Sequence, residues 1–302
     1  MLAGSFGWLR LYLVCGWLVM TDVGDVEDVE VKRANVRHHD VEAGFFERAH
    51  PEGSSLYERA QVSRSLAYIA KKSNDMELCV DVGCGTGFVT GFELPLYKIV
   101  VATDVSRRML EVARKRLGCS GSLNLVLCDA EFLPLRSEVA NLVSISSVLH
   151  HLPKPFKCLR EVSRVLKKGG FVYVTREPSF QRFRRFFDFF DGFVVQNFLK
   201  FMRFLRLQRE GGSVSLEHCL EGLDYGKVDV HYSTGFHATI LSRFLSARGF
   251  DVVSAYSYHW IYPDSDRGWL QTLLTRSNFL IERFPLSNRF GRYVSVIARK
   301  CS

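Results

Sequence analysis

A strand that runs straight into a glycine-rich turn constrains this chain more than any other feature. In Leu78-Cys79-Val80-Asp81-Val82-Gly83-Cys84-Gly85-Thr86-Gly87 an apolar run carries an acid and then passes into glycines at alternate positions. Without Cβ atoms at 83, 85 and 87 a ligand can lie against the backbone. The helix that such a turn opens aims its free N–H groups at whatever anionic group lies there. Two uses of such a turn are excluded by spacing. A dinucleotide-binding Gly-x-Gly-x-x-Gly needs glycine where Phe88 stands, and no Gly-Lys-Ser/Thr follows to make a phosphate-binding loop.

Further strands follow in order, each closing on a polar residue. Ile99-Val100-Val101-Ala102-Thr103-Asp104 ends on an acid 17 residues past Gly87. That is close to the roughly 20-residue spacing at which doubly wound folds bring a carboxylate to a ribose. Leu123 to Asp129 is a third strand, its terminal acid followed by Ala130 and suited to the amino edge of an adenine. Asn141 to Ser147 is a fourth, running into Val148-Leu149-His150-His151-Leu152. Gly170 to Thr175 is a fifth, preceded by a helical run from Leu159 to Lys168. Alternating strands and helices predict an α/β fold whose parallel sheet is covered on both faces.

These motifs together resemble the class I S-adenosylmethionine-dependent methyltransferases, and within them the methyltransferase type 11 group. The carrying residues are Asp81-Val82-Gly83-Cys84-Gly85-Thr86-Gly87, then Leu149-His150-His151-Leu152, then Leu159-Arg160-Glu161-Val162 through Gly169-Gly170, over roughly 78–176. The resemblance implies a Rossmann-like, doubly wound, seven-stranded, mostly parallel sheet with one antiparallel strand, S-adenosylmethionine as cofactor, and methyl transfer as the activity. It places Gly83, Gly85 and Gly87 beneath the methionine part of the cofactor, with Asp81 meeting its ammonium directly or through water. Asp104 takes the ribose, Asp129 and Ala130 take the adenine, and Ser146 approaches from the end of strand four. For Asp129 a helix cap is the structural alternative.

His150 and His151 follow strand four, where ligands of open α/β sheets bind. Either can serve as general base, since imidazole titrates near neutrality. The alternative is that both start a helix and one ring packs on the sheet. His231 and Tyr232 face the cavity in the functional reading, as does Tyr57 within Tyr57-Glu58-Arg59, whose structural alternative is helix packing. The run Arg37-His38-His39-Asp40 invites a metal assignment. Adjacent residues on a helix point apart, however, so these are read as solvated or lid residues and no metal is expected.

Five segments organise the chain. Residues 1–32 are an apolar stretch with an acidic linker, read either as a start misplaced upstream of Met20 or as an interfacial anchor. Residues 33–75 form a helical lid, 76–178 the cofactor-binding core, 179–232 a helical cap inserted after strand five, and 233–302 the rest of the core. Ten of the 24 phenylalanines fall between Phe180 and Phe204; eight of them, though not Phe189, share a broad face largely opposed by Arg182, Arg185, Lys200, Arg203 and Arg206. Such a helix suits an apolar, lipid-like acceptor, a peripheral membrane contact or a homodimer interface. Phe236 to Arg248 reads as a helix, Phe250 to Tyr256 as a strand, 268–283 as a helix and Tyr293 to Arg299 as the last strand.

With 302 residues, 47% of them hydrophobic, the chain can bury a full core. Its net charge of +8 favours an anionic partner without choosing one. Eight cysteines with no Cys-x-x-Cys pair point to a reduced cytoplasmic compartment without disulfides or a zinc site. The small-molecule or lipid-like acceptor is preferred to nucleic acid or protein, because Ser146-Ser147-Val148-Leu149 stands where base-amino methylation needs Asn/Asp-Pro-Pro-Tyr/Phe. A non-catalytic scaffold is disfavoured, having no need of the glycine turn and both acids.

Overall fold

The structure, a computed structural model, describes residues 9–14, 17–22, 26–50, 55–180, 225–231, 234–259, 269–284 and 291–301. The chain opens with an antiparallel hairpin, β1 (Leu9–Val14) and β2 (Trp17–Asp22). Among the described residues no helix is long and apolar enough to cross a membrane. The helical lid follows as α1 (Val26–Glu42), α2 (Phe46–Ala49) and α3 (Leu56–Lys72). The aromatic cap from Phe183 to Leu205 and Tyr232 lie outside the described residues.

The core alternates as the sequence predicts: β3 (Leu78–Val82), α4 (Thr90–Glu93), β4 (Ile99–Asp104), α5 (Arg107–Leu117), β5 (Leu123–Leu127), β6 (Ala140–Ser146), α6 (Pro155–Val165) and β7 (Leu166–Pro178). After α7 (Tyr225–Val228) come α8 (Ala238–Ser246), β8 (Phe250–Tyr258), α9 (Trp269–Ile281) and β9 (Tyr293–Lys300). Seven strands form one sheet in the order β5-β4-β3-β6-β7-β9-β8, and β9 runs antiparallel to both of its neighbours. This is the Rossmann-like sheet expected, with its one reversed strand. Strand five is longer than the apolar run suggests. Gly169, at φ +78°, lies where the β6–β7 pairing shifts register, and this bulge lets Leu166 to Lys168 join the strand instead of ending α6.

Side chains of each central strand alternate between two cores, because successive Cβ atoms point to opposite faces. Val80, Val82, Val143, Ile145, Val172 and Val174 pack under α6 and α8 on one side. Cys79, Val100, Leu142, Phe171 and Tyr173 pack under α3 on the other. Local signals set the helix starts. Ser55 accepts from the Glu58 amide at 3.1 Å, Ser106 accepts from the Met109 amide at 3.1 Å, and Pro155 opens α6.

Two acids sit together under the glycine turn. Asp81 accepts from the Thr90 hydroxyl at 2.6 Å, and burial pushes its carboxyl up to about 6. Glu93 is fully buried, and neither carboxylate oxygen has a hydrogen-bond partner among the described residues. Burial, and then the Asp81 charge, push its carboxyl well above the ordinary range. The unfolded chain loses this proton near pH 4.5 while the folded chain keeps it, so Glu93 lowers stability progressively as pH rises above that value. Glu93→Gln should therefore melt at the parent's temperature at pH 5 and at least about 2–4 °C higher at pH 8, roughly 1 kcal/mol. A variant no more stable than the parent at pH 8 in calorimetric scans would show that the acid has an ionic partner.

Candidate active site

A cavity of about 490 Å³ opens at the carboxyl ends of the parallel strands, roofed by α1. Its floor is the glycine turn. Gly85 lines it at φ +54°, and a Cβ there would project into open space. At Gly83, with φ +66°, a Cβ would come 2.4 Å from the Val148 side chain. Gly87 has a different task from the one expected. It is not at the cavity wall, and a Cβ on it would meet Leu117 of α5 at 2.7 Å.

Asp104 ends β4 with both oxygens already oriented. Oδ2 accepts from the Gly85 amide at 2.8 Å and Oδ1 from the Ser106 amide at 2.8 Å, which leaves lone pairs directed into the cavity for a diol. Burial raises its carboxyl, against the opposing pull of His39 and these two amides. Asp129 lines the cavity and caps a turn rather than a helix. Oδ1 accepts from the Glu131 amide at 2.8 Å, closing a turn, while Oδ2 faces the cavity and pairs with Lys32 of α1 at 2.7 Å. Ala130, Ser146 and Asp81 also line the space. A bare backbone cradle, a prepositioned acid for a diol and an acid beside a small residue form a donor set that fits an aminoacyl nucleoside. S-adenosylmethionine therefore fits the residues present.

The opposite wall is built of imidazoles and carboxylates. Leu149–His151 form a single 3₁₀ turn after β6. Fully buried Glu177, near the end of β7, accepts from the Val148 amide at 2.7 Å, the Leu149 amide at 2.9 Å and the His150 amide at 3.2 Å. It also contacts His150 Nδ1 at 2.9 Å. Burial opposes its charge, but His150 and these amides outweigh it and hold the carboxyl below its usual range. Glu177 is thus ionised, and His150 Nδ1 must be the donor. Burial, with the neighbouring His151, lowers the His150 imidazole, so that ring is neutral. His151 goes the other way: burial pulls it down, but the Asp229 carboxylate 3.0 Å from Nδ1 and the Val228 carbonyl raise it overall.

The backbone bends sharply beneath both groups. Ser147 and Arg176, at the ends of adjacent strands, sit at φ +60° and +58° and both line the cavity. Non-glycine residues held in this region cost of order 1–3 kcal/mol each and gather at functional sites.

The His38-His39 pair departs from expectation. Both side chains line the cavity, and both reach one carboxylate, Glu42, because that residue lies four positions after one and three after the other. His50 Nε2 approaches the second Glu42 oxygen at 2.7 Å. Burial opposes the Glu42 charge, but the three imidazoles drive its carboxyl far below the ordinary range.

Two residues expected at the site are placed elsewhere. Tyr57 is buried between Tyr258, His259 and Phe279, so helix packing describes it. His231 does not line the cavity; its amide donates to the His150 carbonyl at 3.0 Å and braces that turn from behind. Lys32, Glu42, His50, Arg176, Glu177 and Asp229 were missed. Only Arg176-Glu177, charged residues at the end of an apolar strand, gave a local signal. The others depend on how the lid and the 225–231 segment fold back.

Residues 80–174 match the sequence model of a family described as Methyltransferase domain. A malonyl-[acyl-carrier protein] O-methyltransferase of Marinomonas sp. (strain MWYL1) is 32% identical over 131 residues, 42% of this chain and 48% of that protein. A demethylmenaquinone methyltransferase of Clavibacter sepedonicus is 34% identical over 122 residues, 40% of this chain and 48% of that one. The chain thus spans about half the length of the curated relatives it matches. Among solved structures, a protein of Bacillus halodurans C-125 provisionally described as a methyltransferase superposes with a TM-score of 0.51 at 21% identity, covering 80% of this chain and 99% of that one. A chain from a complex of the Haloferax volcanii Trm112 methyltransferase activator with a provisionally described methyltransferase gives 0.54 at 13% identity, covering 87% and 98%. At these identities the structural likeness speaks for the fold.

The prepositioned Asp104 generates a binding prediction. Asp104→Asn should weaken S-adenosylhomocysteine by about 10- to 100-fold, the loss of charge-assisted bonds of roughly 1.5–3 kcal/mol. Unchanged affinity by titration calorimetry would remove Asp104 from the site.

Proposed function

We propose that this chain, whose residues 80–174 form a class I S-adenosylmethionine-dependent methyltransferase domain, methylates a small molecule with an apolar body and a protic head. One observation carries this reading. The cofactor-type residues Gly85, Asp104 and Asp129 bound the same cavity as His150, which Glu177 holds from behind. Phe46, Phe88, Leu152, Pro178 and Tyr293 add apolar surface to its lining. A small organic acceptor suits that lining. Of the two named relatives, the one that acts by name on demethylmenaquinone fits this pattern, while the other is named for malonyl-[acyl-carrier protein].

When bound, the cofactor supplies a methyl group already activated by a positively charged sulfur. The chain has to align the acceptor, exclude water and take up a proton. Alignment of this kind can contribute about 7–11 kcal/mol. Here it falls to a cavity roofed by α1 and to a 3₁₀ turn pinned by Glu177. Because Glu177 holds the Nδ1 proton, His150 presents Nε2 as its basic atom, on the side of Asp229 at 4.0 Å. A neutral buried imidazole with a fixed tautomer can accept the proton of a hydroxyl or an acidic carbon. Asp229 is then placed to stabilise the imidazolium that forms.

With methyl-labelled S-adenosylmethionine and a small-molecule extract of the source cells, label should enter the organic-soluble fraction. Glu177→Gln should slow that transfer by about 100-fold, within the range of general-base effects, while S-adenosylhomocysteine still binds with the parent's affinity. Label appearing only in protein or nucleic acid would reject the small-molecule reading. Unimpaired transfer by Glu177→Gln would reject His150 as base.

A further inference from the structure

The cluster on α1 has a geometry that hydrogen bonding does not account for. His38 Nε2 lies 3.4 Å and His39 Nδ1 lies 3.5 Å from the same oxygen, Glu42 Oε2. Normal N–H···O bonds fall at about 2.7–3.2 Å. Neither Glu42 Oε2 nor His39 Nδ1 has a hydrogen-bond partner among the described residues, though Glu42 is almost completely buried. All three donor atoms lie within 4.8 Å of one another. Ligands bonded at about 2.0–2.1 Å around a tetrahedral ion stand roughly 3.3–3.4 Å apart, close to the two separations seen here.

The surroundings agree. Glu42's other oxygen is held by His50 Nε2 at 2.7 Å, the outer contact that orients a ligating carboxylate. His38, His39 and Glu42 all border the cavity. Two imidazoles and one carboxylate with an open fourth position form the donor set of reactive rather than purely structural zinc sites.

We infer that His38 Nε2, His39 Nδ1 and Glu42 Oε2 hold a divalent, zinc-type cation in the cavity wall, with His50 orienting Glu42 and the fourth position open to the cavity. That position suits an anionic oxygen or sulfur of a small molecule bound beside the cofactor. His151 stands next to the site, its ring centroid 4.9 Å from that of His39, so an ion here would adjoin the base-bearing turn.

The test uses the full chain stripped with a chelator. Zinc titrated by calorimetry should bind at one ion per chain, and cobalt(II) in its place should show the intense visible bands of a tetrahedral ion. His39→Asn should weaken zinc by at least about 100-fold, and His50→Ala by about 10- to 100-fold, as expected of an outer-shell contact. The far-ultraviolet circular dichroism spectrum and the melting temperature serve as folding controls. If His39→Asn does not fold, the cobalt spectrum of the parent decides: tetrahedral bands support the site, and the spectrum of the hydrated ion overturns it. The inference also fails if zinc affinity survives His39→Asn in a folded protein. It fails equally if affinity is lost with Asp229→Asn but not with His39→Asn, which would move the ion to the neighbouring cluster of His150, His151 and Asp229.

Discussion

A carboxylate shut away from water stays ionised only if the protein supplies every hydrogen bond that water would have given. Glu177 meets that condition with three amides and an imidazole, and the catalytic half of the cavity depends on it. The amides belong to the turn leaving β6, so one side chain on β7 fixes the path of the neighbouring strand's exit. The positive φ of Ser147 is tolerated because that exit is over-determined: its amide also donates to the Thr175 carbonyl at 3.1 Å. Loss of Glu177 would leave buried amides without acceptors as well as an imidazole free to turn. The path of the turn and the proposed role of His150 therefore rest on the same contacts.

The roof is attached by polar rather than apolar contacts. Lys32 reaches both Asp129 at 2.7 Å and Glu131 at 2.8 Å. Asn35 donates to the His151 carbonyl at 3.1 Å, and Asp40 accepts from the Ser106 hydroxyl at 2.6 Å. These partners lie in or beside the cavity, at Asp129, at the histidine turn and two residues after Asp104. Helix α1 thus senses both halves of the site.

The strand–turn–helix core was legible because each strand is a short apolar run and each ends on a residue with a distinct task. Asp104 could be placed by its spacing from the glycine turn, and Asp81 and Asp129 by the resemblance together with their positions on the strands, since a parallel sheet brings every strand's carboxyl end to one edge. The long-range half was not legible. Asp229 meets His151 across 78 positions and Glu177 meets His150 across 27, and neither separation leaves a periodic trace. Of the two readings of the His38-His39 pair, the lid placement holds and the solvated one does not, for a definable reason. Adjacent helical side chains do point apart, but a third residue at i+3 and i+4 can draw both onto one atom. Tyr57 shows the opposite error, where a motif-like triplet proved to be ordinary aromatic packing.

If the proposed function holds, one cavity brings the sulfur of S-adenosylmethionine to the histidine wall. A crystal structure with S-adenosylhomocysteine should show the ribose hydroxyls on Asp104, the adenine beside Asp129 and Ala130 with the Lys32 pair opened or shared, and the sulfur directed at His150 with room for one acceptor atom between. A nucleoside bound elsewhere, or a sulfur turned away from the Leu149–His151 turn, would contradict the proposed function.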